Sequence, residues 1–111
     1  MLIDPTQKLL TRCLDASALR HRVLIDNLAN SSTPNFTRSD VSFDGELARA
    51  QDVPATGVAE DPTNAPGMDG NNVSIDQEMA ELSKNALLQQ MAVQLLQAKL
   101  SMTKVAATGK S

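Results

Sequence analysis

Cysteine, histidine and clustered carboxylates are the side chains through which a small protein does covalent, acid–base or metal chemistry. In this chain of 111 residues they are sparse. There is one Cys, Cys13, and one His, His21, so an intrachain disulfide and a His/Cys metal cluster are both excluded, each needing several such groups to converge. Cys13 follows Leu9 and Leu10 and precedes Leu14, which reads as core packing rather than a reactive thiol. His21 has no partner cluster and reads as a surface or interface residue. Ser, His and Asp all occur, but no glycine-framed nucleophile accompanies them. Asp76, Glu78 and Glu81 form an acidic helix start, which points to complementing the helix dipole rather than to a carboxylate pair for acid–base work. Met79, Met91 and Met102 read as adaptable packing, not a soft-metal site. The sequence therefore predicts no catalytic residue, no cofactor and no metal.

What remains is the question of which elements these residues belong to. Hydrophobic residues make up 41% of the chain, yet only two are Phe and none is Tyr or Trp. Apolar burial must then come from Leu, Val, Met and Ala, a composition that suits helices. A formal net charge of −3 and a pI near 4.9 argue against nucleic acid or an anionic membrane surface as partner. No apolar run is long enough to span a bilayer, so direct membrane insertion is not expected. The start, Met1-Leu2-Ile3-Asp4-Pro5, has no basic segment of a signal peptide, which predicts either a cytoplasmic chain or one that leaves by a route needing no cleaved signal.

Asp4-Pro5-Thr6-Gln7 predicts a helix start: an acidic cap, Pro at the first helical position and Gln three residues after the cap. Leu9, Leu10, Cys13, Leu14, Ala16, Leu19, Val23, Leu24 and Leu28 then recur at three- and four-residue steps, predicting an amphipathic helix to about Ala29. Asn27 and Asn30 offer amides near its last carbonyls, and Thr33-Pro34 stops it. Asn35 suits a left-handed turn. Phe36 and Phe43 fall in a short arm, residues 31–50, with Asp44-Gly45 as a turn and Glu46 to Ala50 as one helical turn.

Residues 51–72 carry Pro54, Pro62, Pro66 and several acids, and no Lys or Arg occurs between Arg49 and Lys84. Without periodicity, this stretch is expected to be a flexible acidic linker that buries too little apolar surface to order itself. Short strand pairing around Val53 and Val58 is the other expectation for this stretch. Ser74-Ile75-Asp76-Gln77 opens a second helix with a capping-box pattern, in the segment 73–111. Along it Ile75, Met79, Leu82, Ala86, Gln89, Val93, Leu96, Leu100, Thr103 and Ala107 keep the alternating four- and three-residue steps of a coiled-coil seam. A second row, Leu88, Ala92, Leu95, Met102 and Ala106, widens that surface beyond what one partner helix covers.

The fold expected is all-α: two long terminal amphipathic helices packed as an antiparallel coiled-coil-like hairpin and joined by an irregular acidic linker. Two helices facing along one seam hide too little of this surface, so other chains must complete the burial, and the chain is built for assembly.

The segment from Arg22 to Phe36, with Asn27-Leu28-Ala29-Asn30-Ser31-Ser32-Thr33-Pro34-Asn35-Phe36, resembles the Ala-Asn-x-x-Thr-Pro-Gly-Tyr segment that follows the N-terminal helix in bacterial flagellar axial proteins, the rod and hook subunits. Arg38 to Asp44 and Gly70 to Met79 are similar to further segments of the rod members, in the same order. Asn35-Phe36 replaces the family's Gly-Tyr and removes a phenolic hydroxyl. The chain is also short for the family, chiefly in the linker. The resemblance implies a structural subunit of the proximal rod, exported without cleavage through the flagellar type III apparatus into the periplasmic space and polymerising into the hollow shaft that transmits torque from the MS ring to the hook. It implies as partners the other rod subunits, the adaptor joining rod to MS ring and, further, the MS ring or export gate, together with self-association. Taken with the seam read from spacing, it predicts an assembly interface of Asn27, Leu28, Ala29, Asn30, Thr33, Pro34, Phe36, Phe43 and Asn72 in the loops and Met79, Leu82, Val93, Leu96 and Leu100 on the seam. Another rod subunit, including a distal type, and a small cytosolic helical adaptor or chaperone are the alternative expectations.

Overall fold

The computed structural model describes residues 5–42 and 57–109. Helix α1 spans Pro5–Ala29 and helix α2 spans Ile75–Thr108. They pack antiparallel: Gln7 Nε2 donates to Thr103 Oγ1 at one end, Asn85 Nδ2 donates to the Ser17 carbonyl near the middle, and Asn27 Nδ2 reaches Glu78 at the other. At 1.5 Å per residue α2 is about 51 Å long, which gives the molecule its 64 × 27 × 16 Å outline.

The local signals act as expected at several points. Ser74 caps α2 by accepting from the Gln77 amide at 3.3 Å. Gly109 ends α2 in the left-handed conformation, φ 67°, and its amide donates to the Val105 carbonyl. Asn35 is left-handed too, φ 62°. The expected cap at Asp4, the turn at Asp44-Gly45, the helical turn 46–50 and Phe43 lie outside the described residues, as does Val53.

Two expectations need correction. Residues 57–72 follow a defined path: strand β2 (Val58–Glu60) pairs antiparallel with strand β1 (Ser39–Val41), Ser39 opposite Glu60 and Val41 opposite Val58. The order comes from hydrogen bonds rather than apolar burial, which is why composition suggests a flexible linker; the strand pairing expected around Val58 is present. The seam of α2 is also rotated. Leu82, Gln89, Leu96 and Thr103 are half-buried as the pattern suggests, but the residues alternating with them toward α1 are Glu78, Asn85 and Ala92, all buried. Met79, Val93 and Leu100, one position further along, stay exposed. Polar partners on α1 select this rotation: Asn27, Ser17 and Gln7 are buried opposite Glu78, Asn85 and Thr103.

Burial is uneven along the axis. The largest fully buried side chains, Arg38, Leu24, Glu78, Asn27, Asn85 and Ser17, all sit in the half nearest the loops. Toward the other end, among the described residues, only Gln7 and Ala92 are buried, while Leu95, Leu100, Met102 and Val105 are exposed.

Candidate assembly interface

The loop end is organised around Arg38, a side chain only 1% exposed. Strand β1 brings it beneath the start of α2. Its Nε donates to Glu78 Oε1 at 2.6 Å, its Nη1 to Asp61 and its Nη2 to Asp40 and Glu78 Oε2 at 3.4 Å each. A guanidinium suits this place because its rigid fork serves several carboxylates at once. Arg20 on α1 extends the network, with Nε to Asp40 Oδ1 at 2.9 Å and Nη2 to Glu81 Oε2 at 2.7 Å. Glu78 and Glu81, read from sequence as dipole partners, are therefore the α2 side of a clasp joining both helices to the strands. Asp76, in the same first turn, remains exposed.

Asparagines carry the rest. Asn27 is fully buried, and its amide pairs with the Ser39 backbone in both directions: Nδ2 to the carbonyl at 2.7 Å, and the Ser39 N–H to Oδ1 at 2.9 Å. It thus completes the ladder of β1 on the side away from β2. This corrects its assignment as a helix-end cap; Asn30 takes that part, donating to the Asp26 carbonyl at 2.8 Å. Asn71 Nδ2 donates to the carbonyls of Asn30 and Thr33, at 2.8 and 2.7 Å, and ties the Thr-Pro loop to the start of α2. Asn72 accepts from the Arg38 amide at 2.6 Å and donates to the Asp61 carbonyl at 2.9 Å. Gly70, φ +79°, lies so close to Asn35 that an added Cβ would fall 2.3 Å from Asn35 Oδ1, so the two left-handed residues form one tight contact.

The candidate interface residues fall into two groups. Asn27 and Asn72 point inward and position the loop. Ala29, Thr33 and Pro34 are exposed; Leu28, Asn30 and Phe36 are half-buried. Met79, Val93 and Leu100 are exposed on α2, whereas Leu82 and Leu96 are half-buried. Arg38, Arg20 and Asn71 were not singled out from sequence; the signal was there in Arg38, the one base between Arg22 and Arg49. Cys13 is half-buried with its pKa raised by burial, and His21 is exposed.

The charges of the clasp set its pH response. Burial pushes Asp40 up, but the Arg20 hydrogen bond, the Val41 amide and the charges of Arg20 and Arg38 outweigh it, and its pKa is lowered. Asp61 is lowered by the Thr63 hydroxyl and amide, then by Arg38. A carboxylate lowered by folding stabilises the fold above its unfolded pKa of about 3.9, and that stabilisation is lost as pH falls through the lowered value. The expected result is a loop end unaffected by these groups from neutral pH to about pH 4, opening below it. NMR amide signals of Arg38 and Asn72 that keep their native shifts well below pH 3 would contradict this.

The face of α2 away from the clasp shows what the chain leaves uncovered. Residues advance about 100° each around a helix. Ile75, Met79, Val93 and Leu100 therefore form one shoulder beside the α1-facing line, and Leu88, Met91, Leu95 and Met102 form the opposite shoulder; all eight are exposed. The second shoulder borders an open groove of about 170 Å³ shared with Leu10 and Cys13 of α1. The outward side of α1 is polar, with Lys8, Asp15, Arg22 and Asp26 exposed. No described helix is long and apolar enough to cross a membrane.

Comparison with known proteins returns a consistent set. Flagellar basal body rod protein FlgB of Borrelia hermsii is 36% identical, over 69% of this chain and 76% of that protein. Flagellar basal body rod protein FlgB of Bacillus subtilis (strain 168) is 30% identical, over 97% of both chains. Flagellar basal body rod protein FlgB of Escherichia coli (strain K12) is 27% identical, over 85% of this chain and 86% of that protein. No protein-family profile matches the chain.

Proposed function

Because the chain belongs to the FlgB family of flagellar basal body rod proteins, we propose that it is a subunit of the proximal rod that polymerises with the other rod proteins into the torque-transmitting shaft. It is a structural rod component, and we assign it no catalytic step. Its partners in this reading are the neighbouring rod subunits, the adaptor at the MS ring and, at its base, the MS ring or export gate. It reaches the periplasmic span unfolded, by export without a cleaved signal.

The observation that carries this reading is the pair of exposed apolar shoulders on α2. Helix α1 covers only the line between them, so α2 requires a neighbour on each side. Packed helices that interlock with several neighbours resist sliding and twisting, as a drive shaft requires. The polar outer side of α1 and the exposed Ala29, Thr33 and Pro34 remain for contacts with flanking subunits, and Met79, Val93 and Leu100 for burial in the tube.

Leu95→Glu tests it. Leu95 is exposed in the isolated chain, so the substitution leaves the hairpin's circular dichroism unchanged, but it places a charge where a neighbour must pack. In a strain whose own copy is deleted, the expected result is at least a tenfold loss of swimming and basal bodies lacking a complete rod. Normal swimming with intact rods would remove the basis for the reading.

A further inference from the structure

The line that α2 turns toward α1 is less apolar than the shoulders it leaves in water. Its buried residues are Glu78, Asn85 and Ala92, whereas Leu88 and Leu95 on one shoulder and Val93 and Leu100 on the other are exposed. Apolar burial alone would turn α2 about its axis until one shoulder met α1. A polar group must oppose that turn. Glu78 does so at the loop end, inside the Arg38 clasp. Beyond the clasp, Asn85 is the one polar side chain of α2, among the described residues, that is fully buried. At about 100° per residue it falls between the shoulders, with Leu88 some 60° to one side and Val93 some 80° to the other.

The contacts of Asn85 constrain rotation and contribute little to stability. Its Nδ2 donates to the Ser17 carbonyl at 2.8 Å, while its Oδ1 is buried with no partner among the described residues. Ser17 lies inside α1, so its carbonyl also has the helical amide four residues on as a donor and is not orphaned when Asn85 is removed. The unpaired Oδ1 carries a desolvation cost that an apolar side chain of similar shape would not. Turning α2 by the 60° or more that seats a shoulder would pull Nδ2 off Ser17 and leave both ends of the amide unpaired without water.

We propose that Asn85 is a specificity-determining residue, which holds α2 in the one rotation that leaves both apolar shoulders outward, at a net cost to the stability of the hairpin. A single buried Asn in a helical seam fixes pairing in this way because only one arrangement satisfies it. A leucine at this position would join Leu82, Leu88, Ala92 and Leu96 into one continuous apolar strip, on which α1 has several rotations of similar energy to settle on. The device works within the isolated chain, whatever neighbours cover the shoulders.

The native Cys13 supplies the probe. It borders the same groove as Met91, while Val93 lies on the opposite shoulder, so a short bismaleimide added to dilute full-length chain carrying Met91→Cys or Val93→Cys reads the rotation of α2. With Asn85 in place, the Cys13 link to position 91 is expected to form at least about tenfold faster than the link to 93, because a competing rotation populated at about 10% or less slows its own link in proportion. Adding Asn85→Leu is expected to bring the two rates within about threefold of each other. In the chain with its native Met91 and Val93, Asn85→Leu is also expected to raise the urea midpoint, by about 0.5 M, since it removes an unpaired buried oxygen. A residue that merely stabilised the hairpin would give the opposite: a lower midpoint and an unchanged preference for position 91. Either of those results overturns the proposal, as does loss of the helical circular dichroism signal in Asn85→Leu.

Discussion

Arg38→Met is expected to destabilise the loop end by about 3–5 kcal/mol, the range found when one member of a buried ion pair is removed. Glu78 is fully buried and receives both Nε and Nη2 of Arg38. Without the guanidinium, its carboxylate keeps only the Asn27 amide at 3.2 Å as a side-chain donor. Asp61 and Asp40 lose a partner at the same time. Since whole domains hold only about 5–15 kcal/mol of stability, a loss of this size is expected to abolish motility as well. Arg38→Lys restores the charge but not the fork, and so recovers part of the stability. Arg38→Met with Glu78→Met removes both buried charges and recovers most of it. Urea unfolding followed by circular dichroism measures all three variants. A loss below about 1 kcal/mol for Arg38→Met would mean that the clasp is a solvated surface pair.

Asn27 carries the second large effect. Asn27→Leu is of similar shape but leaves the Ser39 N–H and carbonyl without their partner on that side and removes a donor from Glu78. The expected loss is about 2–4 kcal/mol for groups left unsatisfied in a buried place. Asn27→Asp is expected to be worse despite being the closer relative, because it sets a second carboxylate beside Glu78 where neither can be hydrated. The ordering is the sharp part. If urea midpoints put Asn27→Asp at or above Asn27→Leu, the pairing of Asn27 with Glu78 is wrong.

Both residues mark the limit of reading by hydrophobic pattern. The two helices were legible because their apolar periodicity and capping residues act locally: Ser74 caps α2 and Asn35 takes its left-handed turn from side-chain chemistry alone. The excess of apolar surface on α2 was legible too, as two rows rather than one. Which row faces α1 was not. The answer is a line that joins Glu78 and Asn85, which belong to neither row, with Ala92 of the second row and Leu82, Gln89, Leu96 and Thr103 of the first, because buried polar groups must find partners and those partners lie on α1. Asn85 shows the constraint at its limit: Nδ2 donates to Ser17, while Oδ1 has no partner among the described residues.

Sequence alone determined the helical class, the extents of the two helices and the surplus of apolar surface along α2, all consequences of composition and spacing within one or two turns. Only the tertiary structure decided that Arg38 is the buried centre of the loop end, that residues 57–72 are drawn into a strand and hydrogen-bonded turn, and that Asn27 serves a strand instead of its own helix. These depend on groups far apart in the chain meeting in a place without water, where the strength of a charge or amide is set by its partners and not by its position in the sequence.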